Sequence, residues 1–238
     1  MVKILGKEVG HTGYGLMGTK EYPHLLRPRR TNLQTGLTWR AQPVSQETAF
    51  RAMRASLAAG AIFWNGGEFY GPENRNSNHL LNEYFTEYPE DADKVVLAIK
   101  GGLGVNELRP NGSPENIKRS IDACLKVLDG KKFIDLFAPA RVDPNTPIEV
   151  TVAAIDEYVK AGKIGGISLS EVSAESIRKA AKVAKISAVE VEFSLFSTDI
   201  LSNGIAQACA ELEIPIVAYS PISRGLLVCF PREVSDKQ

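Results

Sequence analysis

The feature that most constrains this chain is a repeated alternation. Short apolar runs rich in β-branched residues recur, and each is followed by a segment with helical spacing. AIFWN at 61–65 precedes NSNHLLNEYF at 76–85, and KVVLAIK at 94–100 leads through a Gly/Pro loop to SPENIKRSIDACLKVLDG at 113–130. KFIDLFA at 132–138 precedes TPIEVTVAAIDEYVKAGK at 146–163, and IGGISLS at 164–170 precedes SAESIRKAAKVA at 173–184. SAVEVEF at 187–193 precedes TDILSNGIAQACAELE at 198–213, and IPIVAYS at 214–220 closes the series. Near the start, HTGYG at 11–15 precedes SQETAFRAMRASLAAG at 45–60. Nearly continuous apolar runs are the pattern of parallel strands covered on both faces. A beat of about 25–35 residues is the length of a βα unit.

The alternation predicts seven strands and six intervening helices. A doubly wound sheet could use them, but no GxGxxG opens a helix after a strand, so the dinucleotide fingerprint of that fold is missing. A TIM (β/α)8 barrel fits better, truncated here to about seven strands with the eighth βα unit missing. The 238 residues suit one such domain, 1–238. The clearest helix is 113–130. Ser113 is placed to cap it with Pro114 in the first turn, Ile117, Ile121 and Leu125 share a face, and Gly130 supplies the stop.

Charge and cysteine content narrow the function classes. Lys+Arg and Asp+Glu are both 28, so the formal net charge is zero, and neither nucleic acid nor a membrane surface is an expected partner. No apolar run reaches the roughly 18–20 residues of a membrane span. MVKILGKEVG lacks the apolar core and cleavage site of a signal peptide. Cys124, Cys209 and Cys229 are far apart, and His11, His24 and His79 are scattered. Reduced thiols, a cytoplasmic location and no metal are expected. The sequence does not give the oligomeric state.

In a barrel of this kind, chemistry sits in the loops after the strands' C-terminal ends. Two ends carry chemical promise. Lys100 ends VVLAI and is expected to point into the barrel mouth, and Tyr70 follows the run AIFWNGGEF. An ammonium beside a phenol favours phenolate and lowers the tyrosine pKa, which would suit a general acid working near neutral pH. Asn65 reads either as a turn residue of Asn65-Gly66-Gly67 or as a site residue. Glu68 reads as a solvated loop charge. Trp64 reads as core, or as the rim of a pocket. Arg141 divides between a surface salt bridge and the pocket.

These residues, with GKIGGISLS at 162–170 and AYSPISRGLL at 218–227, resemble the aldo-keto reductase family over most of the chain. Its strand-2 loop usually reads D-T-A-x-x-Y-G, and NGGEFYG places Asn65 at the aspartate position and Tyr70 at the tyrosine. FWNGGEFYG, PEDADKVVLAIKGG, ARVDPNTP and VEFSLFSTDIL are most similar to fungal pyridoxal reductases, and RVDPNTPIE also resembles potassium-channel β subunits. The resemblance implies an NADPH-dependent reductase taking a small-molecule aldehyde to an alcohol, with pyridoxal to pyridoxine first among the reactions. It implies Tyr70 as proton donor, with Lys100 beside it and Asn65 orienting the lysine. It implies Ser168, Glu190, Tyr219, Ser220, Arg224 and Leu226 as cofactor-binding residues, Glu190 standing where a glutamine usually supports the carboxamide. The other reading is a catalytically impaired barrel serving as a binding or regulatory subunit, or a non-functional truncated product.

Three departures from the family pattern lie in the site, and the first two, with the missing eighth unit, favour that other reading. An amide at Asn65 replaces a carboxylate and cannot form an ion pair. The usual histidine, five places after the Asp135 position, is Ala140. Glu190 replaces the glutamine. Two segments also depart from the pattern. TKEYPHLLRPRRTNLQTG at 19–36 reads as an insertion, expected to form a floppy loop at the mouth of the first strand. VCFPREVSDKQ at 228–238 reads as a non-family tail, following the last strand where an eighth unit is expected.

Overall fold

The computed structural model describes residues 2–17, 44–105, 108–223 and 227. The segments 19–36 and 228–238, and with them Arg224 and Leu226, lie outside the described residues. The first element is a hairpin that the alternation did not announce: β1 (Val2–Ile4) pairs antiparallel with β2 (Lys7–Val9). Its two-residue turn holds Leu5 at φ 50° and Gly6 at φ 79°. Two successive positive φ values give a turn whose twist matches the strands it joins.

The parallel system follows. β3 (Tyr14–Gly15), β4 (Phe63–Gly67), β5 (Val96–Gly101), β6 (Leu136–Pro139), β7 (Gly166–Ser170), β8 (Ile186–Glu192) and β9 (Ile216–Tyr219) form one seven-stranded sheet in sequential order. Every neighbouring pair in it is parallel. The helices are α1 (Gln46–Ala58), α2 (Ser77–Glu87), α3 (Pro114–Leu128), α4 (Ile148–Lys160), α5 (Ala174–Ala181) and α6 (Ile205–Glu211). They fall in the six segments expected to be helical. The last is shorter than expected, because residues 199–201 form a 3-10 turn and α6 starts only at Ile205. Local chemistry sets the boundaries: Ser113 accepts from the Asn116 amide ahead of Pro114, and Asp129 and Gly130 end α3 with φ of 48° and 68°.

Strand parity divides the side chains into two cores. Trp64, Leu97, Ile99, Phe137, Ile167, Leu169, Val189 and Val191 face the helices in the larger core. Phe63, Val96, Ala98, Leu136 and Ala188 face inward, where Ile4 and Val9 of the hairpin close over them. Phe63, Val96 and Leu136 begin their strands, so the hairpin plugs the N-terminal end. Each well-buried aliphatic there contributes roughly 1.5–3 kcal/mol of transfer free energy. The opposite end is where the polar inward residues lie. The sheet is a curled half-barrel, a TIM barrel cut to seven strands. Its curl is marked by Asn65 on β4 and Glu190 on β8, which hydrogen-bond at 2.7 Å although three strands separate them in the ladder.

Candidate active site

Asn65-Gly66-Gly67 is strand, not turn. Asn65 pairs with Ala98, and Gly67 pairs with Lys100. The chain turns only at residues 68–69, after β4 ends. The glycines serve close approach. A Cβ on Gly66 would lie 2.9 Å from Ile99 Cδ1, and one on Gly67 would lie 2.9 Å from Tyr70 Cδ1. Ser77, at the start of α2, accepts from the Gly67 amide and donates to its carbonyl, both at 2.9 Å. Together these contacts fold residues 68–70 back over the strand end and bury Tyr70, which is 3% exposed.

Lys100 meets Tyr70 there. Parity sends the lysine inward with Val96 and Ala98, and its ammonium is buried. It donates to Tyr70 Oη at 3.3 Å and to Asn65 Oδ1 at 3.4 Å, and it pairs with Glu190 Oε1. Three N–H groups therefore face three acceptors. Asn65 Nδ2 donates to the other Glu190 oxygen at 2.7 Å. The ammonium also lies 5.9 Å from the ring centres of Tyr70 and Tyr219.

The electrostatics differ in sign from the expectation for Tyr70. Burial pushes its phenol up, Lys100 pulls it down, and the Glu190 carboxylate pushes it up again, so the pKa is raised overall. Tyr70 is therefore a phenol at neutral pH. For Lys100, burial pulls the pKa down, but Glu190 and Tyr70 outweigh it and the net direction is up. Tyr219 is also raised, by burial first and then by its hydrogen bond to Glu171.

The remaining expected residues lie on or just after β4, β6, β7 and β9. Ser168 shares the inner parity of β7 with Ser170, and both are buried. Tyr219 ends β9, half-buried, and Ser220 follows it at φ 51°. Arg141 is exposed beyond β6. Its Nη1 donates to the Ala140 carbonyl at 2.6 Å, and its charge reaches both Tyr70 and Tyr219. Trp64 is a correction to the pocket-rim alternative: it is fully buried on the helix-facing side, with its indole N–H on the Ala61 carbonyl at 2.8 Å. It directly precedes inward-facing Asn65, so the pleat turns it away. Glu68 is a second correction. It is half-buried, paired with Arg119 at 2.6 Å and hydrogen-bonded by Ser120 at 2.5 Å.

Residues 33–238 match the model of the aldo/keto reductase family. The chain belongs to that family. A "Probable pyridoxal reductase 2" of Schizosaccharomyces pombe is 44% identical over 225 residues, covering 94% of this chain and 62% of the relative. A Saccharomyces cerevisiae protein with the provisional name pyridoxal reductase is 40% identical over 229 residues, covering 91% of this chain and 60% of the relative. This aldo/keto reductase chain thus spans about three fifths of the length of those relatives. A thermostable aldo-keto reductase crystallised with epalrestat superposes with a TM-score of 0.71 at 20% identity, over 97% of this chain and 75% of that one. An aldo-keto reductase of Klebsiella pneumoniae, solved in complex with NADPH, gives 0.67 at 18% identity, over 90% and 65%. At those identities the structures speak for the fold. Among the described residues, no helix is long and apolar enough to cross a membrane.

Chemically, the arrangement presents a proton donor at the open end of the sheet, with a buried cation beneath it. A nicotinamide would find partners that suit it. The half-buried Tyr219 ring offers an aromatic face, and the Ser170 hydroxyl is buried with no hydrogen-bond partner among the described residues. Ser168 stands two residues before it on the same face. An orphaned hydroxyl is the kind of donor and acceptor a carboxamide can partner.

Proposed function

We propose that this chain carries the reducing site of an NADPH-dependent aldo/keto reductase that converts an aldehyde to an alcohol, with pyridoxal to pyridoxine as the reaction to test first. The observation that carries the reading is the buried Lys100 ammonium 3.3 Å from the Tyr70 hydroxyl at the C-terminal ends of β4 and β5. The named relatives among the pyridoxal reductases support the substrate class.

Tyr219, Ser168 and Ser170, with Ser220, Arg224 and Leu226, would hold NADPH, which when bound would supply hydride for the carbonyl carbon. Tyr70 supplies the proton for the carbonyl oxygen. An ammonium can only donate, so the Lys100–Tyr70 contact uses the phenol's oxygen and not its proton. The lysine contact therefore does not consume the proton that the reaction calls for. As it leaves, negative charge grows on Tyr70 Oη, and Lys100 stabilises that charge in place. Arg141, whose charge already reaches Tyr70, supplies a further positive potential at the mouth where Ala140 offers no imidazole.

The test follows the absorbance of reduced nicotinamide with pyridoxal, comparing the chain with Tyr70→Phe. Loss of the proton donor should cut kcat about a hundredfold or more while leaving the fold intact. Equal rates in the two proteins would remove Tyr70 from the chemistry.

A further inference from the structure

We propose that Glu190 on β8 is the charge partner that holds and orients Lys100 toward Tyr70, and that Asn65 and Glu190 form one exchangeable amide–carboxylate unit. This rests on the reading of Tyr70 as the proton donor. Glu190 acts through Lys100, so it is a positioning residue.

The argument starts from charge. Lys100 is 6% exposed, and a buried ammonium needs a carboxylate beside it. Asn65, on the strand next to the lysine, is neutral and can offer only a carbonyl oxygen, at 3.4 Å. Among the described residues, the carboxylate paired with the lysine is Glu190, delivered from the far side of the curl. Its position is fixed by its own ladder, opposite Ser170 on β7 and Val217 on β9. Inward residues of the intervening strands are small at this level (Ala138 on β6 and Ser168 on β7), which leaves room for Lys100 and Glu190 to meet. The second oxygen of Glu190 takes the Asn65 amide at 2.7 Å. The three side chains thus close a loop: lysine to carboxylate, carboxylate to amide, amide carbonyl back to lysine. Moving the charge from residue 190 to residue 65 would keep both the charge balance and the number of donors.

The proposal has a consequence for proton affinity. The groups facing this set are Tyr70, Tyr219 and Lys100 within it, Arg141 at the mouth, and Glu171 and Glu192 on the far side of Tyr219. The Glu190 charge acts in the same direction on Lys100 and on Tyr70, holding protons on both. Neutralising it should therefore move both titrations to lower pH.

The experiment uses the full chain with Glu190→Gln, Asn65→Asp and the exchange variant Asn65→Asp/Glu190→Gln. The Tyr70 titration is read by NMR of ring-labelled tyrosine, assigned with Tyr70→Phe, without cofactor. The pH profile of turnover with NADPH and pyridoxal is the second readout. In Glu190→Gln the Tyr70 titration should fall by about one pH unit or more, the basic limb of kcat should follow it, and kcat should drop about tenfold or more. The exchange variant should return both toward the starting protein, while Asn65→Asp alone places two carboxylates together and should push Tyr70 up. An unchanged Tyr70 titration in Glu190→Gln would overturn the proposal, even if that variant were less stable. So would an exchange variant as impaired as Glu190→Gln. Should Glu190→Gln not fold, the exchange variant decides: it must fold and titrate like the starting protein, and failure in either overturns the proposal. A shifted Tyr70 titration in a chain that never turns over pyridoxal would support the positioning role while removing the reductase reading. Normal turnover with an unmoved titration would do the reverse.

Discussion

The ring of Tyr70 rests on the α-carbon of Gly67. A Cβ at Gly67 would sit 2.9 Å from Tyr70 Cδ1 and 3.0 Å from Cε1 and Cγ. The same glycine pairs in the ladder with Lys100, so one backbone position sets both the lysine's height and the tyrosine's approach. Gly67→Ala should push the ring away from Lys100, since the Gly67 backbone is fixed by the β5 ladder and by Ser77. The expected result is a fall in kcat of about tenfold or more with a smaller change in thermal stability, because an ångström of misplacement costs more in rate than in folding. Steady-state kinetics beside a thermal melt checks this. An unchanged kcat would show that the ring's seat does not matter.

Removal of the lysine charge should show itself in stability. In Lys100→Met, Glu190 stays 8% exposed with only the Asn65 amide in place of the ammonium. At neutral pH the cost of the broken pair should be about 3–5 kcal/mol. Denaturant unfolding measures the loss, and Lys100→Met/Glu190→Gln should recover part of it, because no buried charge is then left unpaired. A single variant as stable as the starting protein would show that the pair is not buried in solution.

A pH dependence of stability is expected at Asp143. Burial pushes its carboxyl up, but donors outweigh that: the amides of Gly112 and Asn145, both at 2.9 Å, and the Thr146 hydroxyl at 2.8 Å. With the folded pKa lowered, the stability it contributes is present above the ordinary carboxylate range and lost as pH falls through the folded value. Asp143→Ala should cost about 2 kcal/mol at neutral pH, leaving the buried Gly112 amide without its acceptor. It should also remove part of the acid sensitivity of the starting protein, seen in denaturant unfolding between neutral and acidic pH. An equal acid loss in the variant would place that sensitivity elsewhere.

The sheet and its helices were legible because each strand carries its own apolar run and each helix its own period. Ser113, Pro114 and Gly130 mark α3 before any coordinates. The hairpin escaped, since VKILGKEV holds two three-residue strands whose value lies in plugging residues far along the chain, Phe63, Val96 and Leu136. Asn65-Gly66-Gly67 looked like a turn because Asn-Gly is local turn chemistry, whereas the glycines answer to Ile99, Ser77 and Tyr70. Tyr70 and Lys100 could be paired from their places after consecutive strands. The net direction of the Tyr70 titration could not, because burial and the charge of Glu190, 120 residues further on, decide it. Two departures read separately, an amide at 65 and an acid at 190, were the available signal, and only the curl brings them within 2.7 Å.

The hairpin's role makes the last prediction. Ile4 and Val9 are 2% and 4% exposed, closing the N-terminal end over Phe63, Val96 and Leu136, while Tyr70, Lys100 and Glu190 gather at the other end. The two ends share strands β4 and β5. Ile4→Ala removes a buried side chain from a plug with little room to collapse, because the hairpin ladder fixes its height. It should cost about 2–4 kcal/mol, read as a lower denaturation midpoint, while the Tyr70 titration and the turnover of the folded protein stay as they were. A loss of turnover in excess of the loss of folded protein would show that the plug transmits its packing along the strands to the lysine.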